Sequence, residues 1–225
     1  MTSCVSDAGP LVELCSETDD VHVLGNVTGA LRNLALHAGN GMQIVEEGAI
    51  APLVTLCRTA QDGRVLGNAA LALVNLARHE GSGPQIVEGG AVGPMVQLCQ
   101  STTDSKVLSF TTQALANLAL HVGSRATITE EGAVSPLLML ASQLDNPSVV
   151  GSAVQALQNL ALHPDACIEM VQEGAIHTIV KVLDAATRRE ALDTTDTDRD
   201  NMILYATGAL SNMSLEVRTP RTPRI

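Results

Sequence analysis

The sequence predicts an all-α repeat protein, a solenoid of about five 42-residue repeats with three helices each. The most direct sign is a short segment that recurs at a constant step along the chain. Its copies are ALRNLALH (30–37), ALVNLARH (72–79), ALANLALH (114–121) and ALQNLALH (156–163), with GALSNMSL (208–215) as an altered fifth copy. A fixed period of this length is typical of stacked helical units that share one core.

A second recurring block defines the shorter helices of each repeat. It reads IVEEGAIAPLVTLC (44–57), IVEGGAVGPMVQLC (86–99), ITEEGAVSPLLMLA (128–141) and MVQEGAIHTIVKVL (170–183). We expect one brief helix that is closed by Gly48, and a second helix with Pro52 in its first turn, where a missing N–H is tolerated. Apolar residues then recur at steps of three and four from Leu66 to Ala77, which indicates a long amphipathic helix.

The repeats set the expected domain organisation. One unit cannot bury its apolar face alone, so neighbours must stack into a superhelical rod with a groove. We expect a single array over residues 1–217, with repeats at about 1–38 (truncated), 39–80, 81–122, 123–164 and 165–217. The step from Asn159 to Asn212 is longer than the period of the other repeats. This places an insertion in the last repeat, predicted as a charged, Thr-rich surface loop at 184–200.

Composition and charge limit the function. The chain has no Trp, one Phe and one Tyr, so its core must consist of Leu, Val, Ile and Ala. The formal charge of −11 argues against nucleic acid as a partner, because that binding draws on clustered Lys and Arg. A partner steered by this net charge would be basic. The oligomeric state is left open by the sequence.

The cellular location is expected to be the cytoplasm, and also the nucleus. No stretch is long and apolar enough to span a membrane, and residues 1–10 lack the pattern of a signal peptide.

Cys15, Cys57 and Cys99 recur at the step of the repeats, so they are one structural position, expected to be buried and reduced. Cys4 is a weak candidate for palmitoylation.

The motif GAIxPLVxLC followed by AALALVNLA, with the 42-residue period and three helices per unit, resembles the armadillo repeat of the catenins, importin-alpha and yeast vacuolar scaffolds. The resemblance implies a right-handed superhelix whose long third helices line a concave groove. It also implies that one asparagine per repeat bonds the backbone of an extended peptide. Here these residues are Asn33, Asn75, Asn117, Asn159 and Asn212. The alternative is that each asparagine ties neighbouring helices together.

Two further positions of the long helix are candidates for contacts with a partner. Four residues before the asparagine, where importin-alpha-like proteins often have Trp, stand Gly29, Leu71, Gln113, Gln155 and Gly208. The resemblance is therefore to catenin and vacuolar scaffolds rather than to importin-alpha. Seven residues before it stand Asn26, Asn68, Phe110, Ser152 and Tyr205, of which Asn68, Phe110 and Tyr205 are candidate contacts. The two aromatic rings could equally fill the core.

Four histidines follow the asparagines at the same step: His37, His79, His121 and His163. Equivalent positions of stacked helices lie about 10 Å apart, so these residues cannot share a metal ion. We expect each imidazole to meet the last carbonyls of the long helix. The alternative is a contact at the groove rim that changes as histidine titrates.

The function predicted from these features is a non-enzymatic scaffold or adaptor that binds an extended or basic segment of a partner protein. No nucleophile, metal or phosphate-loop motif is present, and no cofactor is expected. The alternative is a nuclear-import adaptor for basic localisation peptides. The basic Thr-Pro tail at 218–225, RTPRTPRI, is a hypothetical internal competitor for the groove.

Overall fold

The computed structural model describes residues 8–37, 39–188 and 194–218, and these residues form helices joined by short turns. The helices, in chain order, are α1 (Gly9–Glu17), α2 (Val21–Ala35), α3 (Gly41–Glu46), α4 (Ile50–Thr59), α5 (Gly63–Ala77), α6 (Ser82–Glu88), α7 (Val92–Ser101), α8 (Ser105–Leu118), α9 (Ser124–Glu130), α10 (Val134–Ser142), α11 (Pro147–Leu160), α12 (Pro164–Gln172), α13 (Ala175–Thr187) and α14 (Asp196–Arg218). Each complete repeat has three helices, of which the third is the longest. The predicted all-α repeat architecture is confirmed.

The helices pack into two compact units, residues 1–124 and 125–225. In the N-terminal unit the long helices α2, α5 and α8 lie side by side, with α2 against α5 and α5 against α8. In the C-terminal unit α14 packs against α11 and α13. The core positions repeat with the sequence, because Leu31, Leu73, Leu115 and Leu157 stand at the step of the repeats and are all buried.

Each long helix of the N-terminal unit begins at an aspartate. The side chains of Asp20, Asp62 and Asp104 accept two backbone N–H bonds each, at 2.8–3.2 Å, from the first turn of α2, α5 and α8. Such caps satisfy N–H groups that have no partner within the helix. The bonds from Val23 and then His22 lower the pKa of Asp20.

The short helices end where glycine permits a left-handed backbone. Gly48, Gly90, Gly132 and Gly174 have φ between +72° and +84°, and they also recur at the step of the repeats. A residue with a Cβ is disfavoured at such an angle. The predicted closure of the first short helix at Gly48 and the placement of Pro52 in the first turn of α4 are therefore confirmed.

The predicted surface loop at 184–200 is shorter in the structure. Helix α13 continues to Thr187, because Ala185 and Ala186 are buried and extend its apolar face. Helix α14 already begins at Asp196, where the Thr195 hydroxyl accepts the N–H of Asp198. Both ends of the segment are thus helical. Residues 189–193, the tail beyond Arg218 and Cys4 lie outside the described residues.

No helix of the described part combines the length and the apolar character needed to cross a membrane.

Candidate partner-binding site

The predicted asparagines link consecutive long helices. Nδ2 of Asn75 donates to the carbonyl of Arg32 at 2.9 Å, and Nδ2 of Asn117 donates to the carbonyl of Val74 at 3.3 Å. In the C-terminal unit Nδ2 of Asn212 donates to the carbonyl of Gln158 at 3.0 Å. In each case the acceptor directly precedes the asparagine of the previous repeat. These bonds give the asparagines a structural role at the repeat interface.

The same geometry leaves part of each amide for a partner. Within the described residues no group donates to Oδ1 of Asn75 or Asn117, and an amide oxygen has two lone pairs. Asn33 is exposed, Asn117 is half-buried and Asn75 is 7% exposed. We call the surface formed by Asn33, Asn75 and Asn117 on α2, α5 and α8 the asparagine face. Asn159 lies on α11 in the C-terminal unit and is 9% exposed.

The other predicted contact residues differ in accessibility. Gln113 is exposed on α8, and Gln155 is half-buried on α11. Phe110 is half-buried, with the edge of its ring close to Gly67 of α5. Tyr205 is half-buried on α14. Of these four residues, Gln113 offers the most free surface.

Asn68 belongs to a polar cluster between α2 and α5. Its Nδ2 donates to the carbonyl of Gly25 at 3.0 Å, and its Oδ1 accepts from Nη1 of Arg32 at 2.9 Å. Nε and Nη2 of Arg32 both donate to Oδ1 of Asn33, at 3.1 and 3.0 Å. The side chain of Arg64 lies over Gly25 of α2. We call Arg32, Asn33, Arg64 and Asn68 the arginine–asparagine cluster.

Two of the predicted histidines connect neighbouring repeats through contacts with backbone carbonyls. Nε2 of His79 lies 2.8 Å from the carbonyl of Ala35, and Nε2 of His121 lies 3.2 Å from the carbonyl of Ala77. Ala35 and Ala77 are the last residues of α2 and α5. Each ring therefore meets the end of the preceding long helix, not of its own.

Each of these two rings occupies space left by a glycine. A Cβ on Gly41 would overlap the ring of His79, and a Cβ on Gly83 would overlap the ring of His121. The remaining two histidines are placed differently. His37 is exposed after α2, and His163 precedes α12 with its Nδ1 buried and unpartnered in the described part of the chain.

Exposed leucines flank the asparagines, and the sequence reasoning did not single them out. Leu36 and Leu120, in the N-terminal unit, and Leu162, in the C-terminal unit, each follow the asparagine by three residues and are 61%, 57% and 49% exposed. The repeated LALH ending carries this signal. These side chains offer apolar contacts next to the amides. The arginine–asparagine cluster was missed in the same way, although Arg32 directly precedes Asn33.

The acidic surplus of the chain does not lie on the long helices of the first four repeats. Helices α2, α5, α8 and α11 contain no Asp or Glu, and their Lys and Arg residues are Arg32, Arg64 and Lys106. The expectation of a basic partner rested on the charge of the whole chain. The asparagine face does not share that charge.

The recurring cysteines are buried free thiols. Burial raises the pKa of Cys15 to about 11 and the pKa of Cys57 and Cys99 to about 12. Because only the thiolate attacks alkylating reagents, these residues cannot act as nucleophiles near neutral pH. Within the described residues no group of three or more His, Cys, Asp or Glu is placed to hold a metal ion.

Alkylation of the folded chain tests this assignment. We expect Cys57 and Cys99 to react with iodoacetamide at pH 8 about 1000-fold more slowly than in urea, because their thiolate fraction is smaller by about that factor. The rate should still be rising at pH 10, since the raised pKa moves ionisation above that value. Peptide mass spectrometry at each pH measures the rate per residue. A rate that levels off between pH 8 and 9 would show that the thiols are accessible.

Comparison with known proteins identifies similar sequences and structures. The profile of the Armadillo/beta-catenin-like repeat matches residues 40–78. A search of curated proteins returned no significant match. Among solved structures, an engineered protein from the Northeast Structural Genomics Consortium is 30% identical, with a TM-score of 0.80 over 93% of this chain and 80% of the engineered chain.

Two designed proteins show the same likeness. The designed armadillo repeat protein YIII(Dq)4CqI is 26% identical, with a TM-score of 0.79 over 92% of this chain and 82% of its own. The designed armadillo repeat protein YIII(Dq.V1)4CPAF, solved in complex with the peptide (KR)4, is 25% identical, with a TM-score of 0.80 over 94% of this chain and 87% of its own.

Proposed function

Because the chain belongs to the armadillo repeat family, we propose that it is a non-enzymatic scaffold or adaptor whose asparagine face binds an extended segment of a partner protein. The observation that carries the proposal is the half-used amide of Asn75 and Asn117. Nδ2 of each is fixed by the preceding long helix, which orients an Oδ1 acceptor that receives no donor from the described residues. Acceptors repeated in this way suit the N–H groups of an extended backbone.

The surroundings of the amides support the same function. The exposed Leu36 and Leu120 supply apolar contacts, and Gln113 supplies a further exposed amide. A designed armadillo repeat protein of similar structure was solved with a peptide, which supports a peptide segment as the class of ligand. Binding is favoured over catalysis, because the recurring thiols are buried and the aspartates at the starts of the long helices accept backbone N–H bonds.

The residues four positions before the asparagines bear on the type of adaptor, and the cysteines bear on its location. We favour a catenin-like or vacuolar-scaffold-like adaptor over a nuclear-import adaptor, since Gly29, Leu71 and Gln113 replace the aromatic residues expected for gripping basic side chains. Free thiols at Cys15, Cys57 and Cys99 suit a reducing compartment, which supports the cytoplasm, and also the nucleus, as the location.

Selected peptides provide the test. We would select binders of the whole chain from a phage library of random 12-residue peptides and measure their affinities by fluorescence polarisation. The double variant Asn33→Ala, Asn117→Ala removes two accessible amides and spares the buried Asn75. Two lost hydrogen bonds of about 1 kcal/mol each predict a roughly thirtyfold weaker affinity.

The matched control removes two amides elsewhere in the same unit. Gln97 and Gln100 are exposed on α7, a short helix that does not carry the asparagine face. The variant Gln97→Ala, Gln100→Ala should bind the selected peptides like the unaltered chain. If no peptide is selected, or if both double variants bind every selected peptide equally well, this function is excluded.

A further inference from the structure

The long helices that carry the asparagine face differ in charge from the rest of the chain. The whole chain has a formal charge of −11. Yet α2, α5 and α8 contain no carboxylate, while each contributes one cationic side chain, namely Arg32, Arg64 and Lys106. The aspartates at the starts of these helices accept backbone N–H bonds. Beyond their capping aspartates, these three helices therefore carry cationic side chains and no carboxylate.

Arg32 is held in a fixed position without a counter-ion. Its guanidinium donates to two neutral amide oxygens, Oδ1 of Asn33 and Oδ1 of Asn68. Within the described residues no carboxylate lies within ion-pair distance of Arg32, which is half-buried. A guanidinium has five N–H groups, and the three bonds to the amides leave donors for another acceptor. Its orientation is set before any ligand arrives.

Arg64 is directed to the same place by a glycine. Its guanidinium lies where a Cβ of residue 25 would stand, so a side chain at that position would displace it from α2. The carbonyl of that same Gly25 receives Nδ2 of Asn68, which in turn orients Arg32. The guanidinium groups of Arg32 and Arg64 thus both lie where α5 meets α2. Neither has a carboxylate partner in the described part of the chain.

We propose that the arginine–asparagine cluster binds a carboxylate, and that the extended segment recognised by the asparagine face is acidic. The proposal deepens the proposed function and rests on it. Guanidinium groups pair with carboxylates through two parallel N–H bonds, and a pre-oriented arginine loses little side-chain freedom in doing so. The neighbouring Asn33 then bonds the backbone of the same segment. The ligand class is a protein segment with Asp or Glu at this position, opposite in charge to the peptide (KR)4 of the designed relative.

The composition of selected peptides tests the charge of the segment. The phage library of random 12-residue peptides is selected on the unaltered chain and on the variant Arg32→Gln, Arg64→Gln. We expect Asp and Glu to be about twofold enriched over the unselected library on the unaltered chain. The double variant should lose this enrichment, and it should bind the acidic peptides at least tenfold more weakly.

Two control variants separate position from net charge. Arg58→Gln, Arg188→Gln removes the same charge from α4 and from the end of α13, and it should keep the enrichment. Gly25→Ala keeps both arginines but displaces the Arg64 guanidinium, so its affinity for the acidic peptides should be severalfold lower. The assigned site would be overturned if Arg58→Gln, Arg188→Gln lost the Asp and Glu enrichment as fully as Arg32→Gln, Arg64→Gln does. It would also be overturned if Gly25→Ala bound the acidic peptides with the affinity of the unaltered chain.

The outcomes distinguish the two proposals. Selected peptides that depend on Asn33 and Asn117 but show no acidic enrichment, or are enriched in Lys and Arg, would overturn the acidic ligand and leave the proposed function standing. Acidic enrichment that persists in Arg32→Gln, Arg64→Gln would also overturn the cluster as the site. The absence of any peptide that depends on the asparagines would overturn both.

Discussion

Replacing Gly41 and Gly83 together by alanine should lower the free energy of unfolding by about 4 kcal/mol. Each new methyl group would overlap a histidine ring, His79 in one case and His121 in the other. Overpacking a filled site costs about 1–3 kcal/mol, and displacement of the ring also breaks its bond to the preceding helix, at about 1 kcal/mol. The two sites belong to successive repeat interfaces, so we add their costs.

Urea unfolding followed by circular dichroism measures this change. The matched control is Gly39→Ala, Gly123→Ala, which adds the same two methyl groups at glycines with no atom within 4 Å of the new Cβ and no left-handed backbone. The control should unfold at the urea concentration of the unaltered chain. Equal stability of the two double variants would mean that the histidine rings do not fill these spaces.

Leu115→Ala should cost about 3 kcal/mol of stability. Leu115 is fully buried on α8, at one of the four leucine positions that recur through the cores of the repeats. Large-to-small changes at such sites remove transfer energy and leave a cavity, with measured costs of about 2–5 kcal/mol. The same unfolding measurement gives the value.

A leucine five residues further along gives the matched comparison. Leu120 is 57% exposed, so Leu120→Ala should change stability by no more than about 0.5 kcal/mol. The change removes apolar surface beside the asparagine face, so it should lower the affinity for the selected peptides without unfolding the chain. Equal destabilisation by the two changes would contradict the separation of core leucines from surface leucines.

The repeat architecture could be read from the sequence because it depends on local rules applied at a fixed period. Gly48 ends a short helix since its backbone is left-handed, and Pro52 fits the first turn of the next. The capping aspartates at 20, 62 and 104 follow the same period and could have been predicted, since aspartate is a preferred first residue of a helix.

The contacts between helices that are distant in the sequence could not be read in this way. The spacing shows that His79 and Gly41 each have an equivalent in the next repeat, but it does not show that one fills the space left by the other. In the same way, the approach of Arg64 to Gly25 depends on how two helices cross. Such contacts arise from packing, and their sequence signal is no stronger than that of unrelated pairs.

One expectation failed because composition was averaged over too long a stretch. The charged, Thr-rich character of 184–200 suggested a loop throughout, whereas Ala185 and Ala186 bury one end within α13. The basic partner suggested by the net charge stays a prediction, and the carboxylates that give this charge lie outside α2, α5, α8 and α11. The position of each residue on its helix decides such local properties.

The most direct test of the central claim locates a bound peptide on the chain. A photoreactive benzoylphenylalanine is placed at Gln113, exposed on α8 beside the asparagine face, and separately at Gln97, exposed on α7. A selected 12-residue peptide is added to each whole chain, and the mixture is irradiated. We predict that the peptide cross-links from position 113 and not from position 97. Cross-linking from position 97 alone would place the ligand on the short helices and contradict the account.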